Sequence, residues 1–359
     1  MAKLSKGGSS RKTQLLWKFK NRFKHLAYFL IFYSGLLYVV VNLLKSVKKN
    51  HPTIILFYHR FYRKGKREHI LPYLEIEEFE KQILHLRKFY TFISIDEIAD
   101  TLIDKRKFAC PCVALTIDDG YLDNYILVYP ILRQYHIPVM IYLTVGLIGT
   151  NSVLWIDDLE YGLMNTRVES FCFEKLFGYE AIKISTFQEK KKAVDMLYLA
   201  MIKKSDEERQ DIIKKLFYIL NVDESGIRKR VRVMLNWAEI REMSENGVCF
   251  GAHTLSHPFL PAMPLETAKH EIRQSKEIVE KRLKKAVRHF AIPNGKQDDF
   301  TNELEEFCEE IGFDTIVTAE PGVVGAAVNR FSLRRVLPSP PLYYYACEVA
   351  RYFFFSRSL

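Results

Sequence analysis

An apolar, β-branched run ends abruptly in two adjacent carboxylates at residues 113–120, V-A-L-T-I-D-D-G. The run predicts a buried strand, and its closing glycine permits a sharp turn. A plain surface turn is the alternative, because Asp-Gly pairs are common in turns. Asp118 and Asp119 would lie at the end of a buried strand, where a charge needs a partner or a metal ion. Both are therefore candidate functional residues.

Short runs of the same kind recur along the chain and alternate with longer helical patterns. The predicted strands are residues 53–58, 113–117, 139–143, 248–252, 287–292 and 315–318, and the predicted helices are residues 76–89, 124–135, 237–246, 265–283 and 301–311. This alternation predicts an α/β fold with a parallel sheet or a β/α barrel. In such folds the chemistry lies in loops that follow the carboxyl ends of strands.

Two histidines four residues apart follow the predicted strand 248–252, in the sequence H-T-L-S-H-P at residues 253–258. Pro258 disfavours helical geometry at His257, so we expect a turn after the strand. With a carboxylate, His253 and His257 would provide three protein ligands. Zinc sites of that kind leave the fourth position open to water, as catalytic sites do.

The positive charge of the chain is concentrated at its beginning. The 359 residues carry a formal net charge of +10, which would suggest nucleic acid or an anionic membrane as a partner. Residues 1–50 hold eleven Lys and Arg and no Asp or Glu, whereas the other 309 residues hold 42 basic and 43 acidic groups. We therefore expect no nucleic-acid partner. Six cysteines are too few for a disulfide scaffold in a chain of this length.

Nineteen uncharged residues, 26–44, approach the ~20 that a helix needs to cross a bilayer. Eight basic residues precede them and three follow closely. This bias predicts a basic cytoplasmic tail at residues 1–25, a single-pass plasma-membrane anchor at 26–44 and a domain outside the cytoplasm. A helix that lies on the membrane surface and a helix of the soluble core are the alternatives.

Residues 50–345 are expected to form one catalytic domain. Within it, residues 151–232 break the alternation and are rich in Lys, Glu, Leu and Tyr. We interpret this stretch as a helical insertion, which could serve as a lid, as a binding surface or merely as a solvated bundle. Trp155, at its start, is a candidate substrate contact.

Four motifs in this order resemble the polysaccharide deacetylase family, also called the NodB-homology domain or carbohydrate esterase family 4. They are I-L-F-Y-H-R at 55–60, L-T-I-D-D-G-Y at 115–121, G-A-H-T-L-S-H-P at 251–258 and F-A-I-P-N-G at 290–295. The resemblance covers residues 53–340. It implies a distorted (β/α) barrel of the NodB-homology type, which the predicted transmembrane helix would precede.

The resemblance also implies an activity, the removal of N-acetyl groups from hexosamine residues of a bacterial surface polysaccharide or exopolysaccharide. Asp119, His253 and His257 would hold a divalent metal ion, with Zn²⁺ the expected one. Asp118 would be the general base toward water that the ion acidifies. A backbone N–H in the turn Pro293-Asn294-Gly295 would help to hold the oxyanion.

The sequence departs from the common family pattern at three places, one of which, Ile117 in place of the usual Phe, is a conservative exchange. The usual C-terminal L-x-H, which supplies the general acid, is replaced by S-L-R-R-V at 332–336. Tyr58-His59-Arg60 resembles the branch acting on poly-N-acetylglucosamine-type exopolysaccharides, so His59 is the expected acid; capping of the first strand is its alternative role. The usual R-x-P-Y is A-I-P-N at 291–294, which removes the arginine that orients the base. Arg334 or Arg335 could take that place.

Two further functions remain open from the sequence. One is a deacetylase or amidase that acts on a lipid-linked sugar or a small amide. The other is a catalytically silent carbohydrate-binding scaffold, which the departures from the family motifs would suit.

Overall fold

The computed structural model describes residues 11–47, 51–65, 69–178, 180–223, 232–296, 299–325 and 327–355. Its strands are β1 (Thr53–Tyr58), β2 (Phe61–Tyr62), β3 (Leu74–Glu75), β4 (Thr91–Phe92), β5 (Cys112–Ile117), β6 (Val139–Leu143), β7 (Ser170–Cys172), β8 (Ala181–Lys183), β9 (Cys249–Ala252), β10 (His289–Ala291), β11 (Thr315–Val317) and β12 (Arg335–Val336).

Its helices are α1 (Arg11–Tyr33), α2 (Leu36–Val47), α3 (Ile76–Phe89), α4 (Ile95–Ile103), α5 (Tyr129–Tyr135), α6 (Trp155–Asn165), α7 (Glu174–Phe177), α8 (Phe187–Met201), α9 (Asp206–Leu220), α10 (Trp237–Glu245), α11 (Leu265–Leu283), α12 (Asn302–Glu310) and α13 (Leu342–Phe355). The predicted helix at 124–135 begins as a π-helical turn, Asn124–Val128, and continues as α5.

Seven parallel strands form a nearly closed barrel in the order β12, β1, β5, β6, β9, β10, β11. The gap between β11 and β12 is bridged just before β12, where Leu333 pairs with Val317. The Leu333 N–H donates to the Ile316 carbonyl at 2.9 Å, and the Thr318 N–H donates to the Leu333 carbonyl at 2.8 Å. The prediction of a parallel (β/α) barrel is confirmed.

Strand alternation separates the two faces of the barrel wall, because successive side chains on a strand point to opposite sides. Toward the helices, β1 and β5 present a layer that includes Ile54, Leu56, Val113 and Leu115. The opposite face packs as a separate cluster that includes Ile55, Ala114, Met140, Tyr142 and Leu333. The positions that continue this interior face beyond the carboxyl ends of β1 and β5 are residues 59 and 118.

The predicted single spanning helix at 26–44 is not what the structure contains. The chain breaks at Ser34-Gly35, where Gly35 adopts φ 77°, and α1 and α2 meet at 79°. In the described part of the chain, no single helix is both long and apolar enough to cross a bilayer, although the bent pair Phe19–Tyr33 and Leu36–Val47 passes that test jointly. Residues 1–10 of the predicted tail, and Lys48 and Lys49, lie outside the described residues.

The stretch at 151–232 forms α6, α8 and α9 with a short antiparallel β7–β8 pair. It has a small hydrophobic core of its own, built from residues such as Leu163, Phe171, Leu197, Met201 and Phe217. Residues 224–231 of the predicted insertion lie outside the described residues. The insertion therefore packs around its own hydrophobic core, which is distinct from that of the barrel.

Candidate active site

The mouth of the barrel brings His59 and Asp118 side by side. β1 and β5 run in register, with Tyr58 opposite Ile117, so the next residue of each strand is also paired. The Asp118 N–H donates to the Tyr58 carbonyl at 2.9 Å. His59 Nε2 lies 3.9 Å from Asp118 Oδ2. Two residues that are far apart in sequence thus meet because adjacent parallel strands end together.

Arg335 donates a hydrogen bond to each carboxylate oxygen of Asp118. Its Nη1 donates to Oδ1 at 2.7 Å and its Nη2 to Oδ2 at 2.8 Å, while Nε donates to the Thr318 carbonyl at 2.8 Å. Both side chains are buried. Burial alone would raise the pKa of Asp118, but the Arg335 guanidinium, together with the nearby histidines, outweighs it and lowers that pKa to about 2. Asp118 is therefore a carboxylate with one fixed orientation.

Arg334, the other arginine considered from the sequence, packs its side chain across Gly322 instead. The pairing of the closing strand explains this difference, because Arg335 lies opposite Ile55, an interior position of β1. Its neighbour in sequence must point the other way.

Asp119, His253 and His257 converge on one point. Nε2 of His253 lies 3.6 Å, and Nε2 of His257 3.7 Å, from Asp119 Oδ1, and the ligand atoms of all three residues lie within 4.8 Å of one another. Asp119 and His257 adopt left-handed φ values of 76° and 60°. This conformation is unfavourable for non-glycine residues. It persists mainly where the surrounding structure enforces it, often at functional sites.

The donor set fits a divalent cation. The His253 Nδ1 lies 2.7 Å from the Ala291 carbonyl, so this nitrogen carries the proton and Nε2 keeps a free lone pair toward Asp119. Burial lowers the pKa of His253 to about 4 and that of His257 well below its usual value, so both imidazoles are neutral at neutral pH. Neutral histidine is the form that binds metals.

Asp119 Oδ1 is buried and makes no hydrogen bond within the part of the chain that the structure describes. Burial, with the negative charges of Asp118 and Asp157, raises the pKa of Asp119 well above its ordinary value. An unsatisfied buried carboxylate oxygen faced by two imidazole lone pairs is the environment that a cation would stabilise. Two nitrogen donors and one oxygen donor are a ligand set that zinc accepts.

The loop that carries the histidines is held from behind by Glu271 of α11. Its Oε2 accepts from the Leu255 N–H at 2.8 Å and from the Ser256 N–H at 3.0 Å. Within the loop, the His257 N–H donates to Thr254 Oγ1 at 3.1 Å. Glu271 was not expected from the sequence; the one signal was an acidic side chain on the face of α11 that packs against the barrel.

The turn Pro293-Asn294-Gly295 follows β10 and reaches the same mouth, since His253 bonds to the carbonyl of Ala291 at the end of that strand. Asn294 and Gly295 adopt φ values of 63° and 69°. A Cβ at Gly295 would lie 2.5 Å from the Ala319 nitrogen, which donates to the Gly295 carbonyl at 2.7 Å. The close approach of two backbones requires glycine here.

His59 is the most open of these groups, with 42% of its side chain exposed. Partial burial lowers the pKa of His59, the Asp118 carboxylate acts in the opposite direction, and the Arg335 guanidinium lowers it further. A histidine that is open to solvent beside a buried acidic pair is able to exchange protons with a bound molecule.

Trp155 is tied into the packing of the insertion. Its ring stacks on Tyr198 with centroids 5.5 Å apart, and the Arg209 guanidinium lies 5.2 Å from it. The insertion reaches the histidine loop nearby, where Ser256 Oγ donates to Asp206 Oδ2 at 3.1 Å. A substrate contact at Trp155 stays a prediction.

A buried ionic network next to the site was not expected from the sequence. Arg60 lies between the rings of Tyr73 and Tyr121, 4.5 and 4.4 Å from their centroids. It also donates to Asp123 at 3.0 Å and to Asp157 of α6 at 2.9 Å. The network joins the β1 loop, which carries His59, to the insertion. From the sequence, Arg60 and Tyr121 were noted only as members of the motifs at 55–60 and 115–121.

The family model for polysaccharide deacetylases matches residues 105–314, which is more than half of the chain and includes Asp118, Asp119, His253 and His257. The chain belongs to the polysaccharide deacetylase family. The resemblance noted from the motifs is thereby confirmed.

Solved structures of similar fold include deacetylases. IcaB from Ammonifex degensii is 18% identical and superposes with a TM-score of 0.54, covering 84% of this polysaccharide deacetylase chain and 98% of IcaB. The Streptococcus pyogenes deacetylase PplD, solved in complex with acetate, is 18% identical with a TM-score of 0.53, covering 81% and 94% of the two chains. At these identities the likeness establishes a shared fold.

A curated relative is YxkH of Bacillus subtilis (strain 168), which is provisionally named a polysaccharide deacetylase. It is 24% identical over 102 residues, which are 28% of this chain. The match spans 36% of YxkH, so the chain covers about a third of the curated relative's length.

Proposed function

We propose that this polysaccharide deacetylase hydrolyses N-acetyl groups of hexosamine residues in a bacterial cell-surface polysaccharide or exopolysaccharide, with a divalent cation as cofactor. The observation that carries the proposal is that three groups of side chains lie together at the mouth of the barrel. They are Asp118 held by Arg335, the cluster of Asp119, His253 and His257, and the accessible His59. Membership of the family supports the reaction class, and the Tyr58-His59-Arg60 motif, which resembles the exopolysaccharide branch, supports the substrate.

The side chains of the site divide the reaction between them. Asp118, kept ionised and oriented by Arg335, accepts a proton from the attacking water as the water oxygen bonds to the acetamide carbonyl carbon. A backbone N–H of the Asn294-Gly295 turn donates to the oxyanion that forms. His59 donates a proton to the amine nitrogen as the C–N bond breaks. Acetate and a free amine are released.

Asp119, His253 and His257 are the residues that would hold the cation. When bound there, a divalent ion supplies Lewis acidity, which polarises a carbonyl and makes a nearby water more acidic. Zn²⁺ is the proposed ion because the donors are two imidazoles and a carboxylate.

Acetate release from N-acetylglucosamine oligomers by the full chain tests the proposal. We expect chelator to abolish release and added Zn²⁺ to restore it. Asp118→Asn should lower the rate by ~10²–10⁴, the usual contribution of a general base. Asp104→Asn, a change at an exposed aspartate that follows α4 and pairs with Arg106, is the matched control.

Unchanged release by Asp118→Asn would refute the mechanism. Zinc binding without acetate release from any member of a glycan panel would instead favour a carbohydrate-binding scaffold. Release only from a lipid-linked sugar or a small amide would favour a deacetylase or amidase that acts on those compounds. Location of the domain outside the cytoplasm stays a prediction, which a reporter fused to the C-terminus would test.

A further inference from the structure

The outer faces of α1 and α2 are apolar and exposed. On α1 the exposed side chains recur at helical spacing, and α2 carries a second row; together these are Phe19, Phe23, Leu26, Leu30 and Tyr33, then Leu36, Val39, Leu43 and Val47, each at least 50% exposed. The spacing places each row on one side of its helix. Single exposed apolar residues are ordinary, but a continuous exposed row indicates an interaction surface.

The inner faces of the same helices are fixed to the barrel domain. On α1, the Tyr28 hydroxyl donates to Glu348 of α13 at 2.7 Å, and Lys24 forms an ion pair with the same carboxylate at 2.9 Å. On α2, Val41 is buried. At its end, Lys45 Nζ donates to the Phe89 carbonyl at 2.6 Å. The two helices therefore lie against the domain surface between Lys24 and Lys45.

The contacts of the inner faces with the barrel domain limit what the outer apolar rows can bind. A helix that crossed a bilayer would have to give up its contacts with α13 and α3, because those elements belong to the barrel domain. The 79° bend instead makes α1 and α2 an elbow that lies along the domain, with its apolar rows on the outside. We call residues 19–47 the elbow.

Charge selects the surface that the elbow fits. Residues 1–50 contain eleven basic and no acidic residues. Lys20 and Arg22 are exposed next to the first row. An apolar row flanked by cations matches the acyl boundary and the anionic headgroups of a bilayer. A second copy of the elbow would bring like charges together.

We propose that the elbow lies in the plane of an anionic bilayer and holds the catalytic domain against its surface. The apolar rows enter the headgroup and acyl boundary, while the inner faces keep their contacts with α13 and α3. This proposal is independent of the reaction assigned to the barrel.

Sedimentation of the full chain with vesicles tests the proposal. The vesicles contain phosphatidylcholine alone or phosphatidylcholine mixed with phosphatidylglycerol. We expect binding to the mixed vesicles and weaker binding as salt is added, because salt screens the basic residues. Phe23→Ser with Leu30→Ser should reduce partitioning at least tenfold.

Tyr218→Ser is the matched control, because Tyr218 is an exposed aromatic residue on the insertion. Both variants should keep the wild-type unfolding temperature, since the changed side chains are exposed, and wild-type acetate release from soluble oligomers. Three results would overturn the proposal. They are absence of binding to the mixed vesicles, a dimer that the double variant disperses while its vesicle binding is unchanged, and retention of the chain in membranes after alkaline extraction, as for a spanning helix.

Discussion

Arg335 and Asp118 form a pair in which each residue needs the other. Both are buried, and the pair is bidentate, so the charge of each is compensated with defined geometry. Removing one partner of such a pair commonly costs ~3–5 kcal/mol, because a buried charge is left alone. Arg335 of the closing strand thus contacts the carboxylate that, by the family resemblance, an arginine before the proline would orient.

We predict that Arg335→Gln shifts the acid limb of the pH–rate profile to higher pH. As the proposed base, Asp118 would act only when ionised, and the pKa of about 2 keeps it ionised at mildly acidic and neutral pH. Without the guanidinium, burial raises that pKa, so activity is lost at mildly acidic pH first. Acetate release measured across acidic and neutral pH checks this, with Arg334→Gln as the control. An unmoved acid limb in a folded Arg335→Gln protein would contradict the role of Arg335.

His59 can be tested through the leaving group. We expect His59→Ala to hydrolyse an N-acetylated sugar ~10²–10⁴-fold more slowly than the wild type, because the departing amine needs a proton. An activated aryl acetate releases a weakly basic leaving group that needs none, so its hydrolysis should fall far less. Comparison of the two substrates is the measurement. Equal losses on both would show that His59 acts elsewhere in the reaction.

At the scale of elements, the histidine loop depends on a helix that contributes nothing to the reaction directly. Glu271 of α11 accepts two backbone N–H groups of the loop that carries His257. The loop has left-handed residues at both Thr254 and His257, which cost energy and need external support. The position of the second imidazole is therefore set by α11.

We predict that Glu271→Ala lowers zinc affinity ~10–100-fold, the usual effect of losing a residue that orients a ligand. Calorimetric titration of the metal-free protein with Zn²⁺ gives the affinity. Glu266→Ala on the same helix, where the side chain is 84% exposed, is the control. Wild-type affinity in Glu271→Ala would show that the loop holds its shape alone.

At the scale of the whole molecule, the site costs stability. The pKa of Asp119 is raised in the folded state, so its ionisation opposes folding as pH rises above the unfolded value of ~3.9. Asp118 contributes with the opposite sign, since its folded pKa is lowered, and that contribution is lost only as pH falls toward 2. A bound cation would offset the Asp119 cost.

We therefore predict that Asp119→Asn stabilises the metal-free protein at neutral pH while abolishing stabilisation by zinc. The gain should shrink toward acidic pH, where Asp119 of the wild type becomes protonated. Urea unfolding with chelator, at mildly acidic and at neutral pH, measures the difference. A lower stability of Asp119→Asn at neutral pH would mean that the ionised carboxylate is satisfied without a metal ion.

The spacing of apolar residues along the sequence was enough to predict most strands and helices of the barrel, because that spacing depends only on neighbouring residues. Two strands, 53–58 and 139–143, and two helices, 76–89 and 265–283, were predicted to the residue. The short β12 and the helices α4 and α13 were not predicted. The two residues of β12 form a strand only because β1 pairs with them.

The order and chemistry of the motifs were likewise sufficient to predict that Asp118, Asp119, His253 and His257 lie together, since strands of a parallel barrel end at one mouth. Tertiary structure alone decided which arginine meets Asp118, because Arg334 and Arg335 differ only in the face that the closing strand gives them. It also decided that residues 26–44 bend at Ser34-Gly35 and lie on the domain. Hydropathy counts apolar residues along a helix, whereas packing determines which of its faces the protein covers.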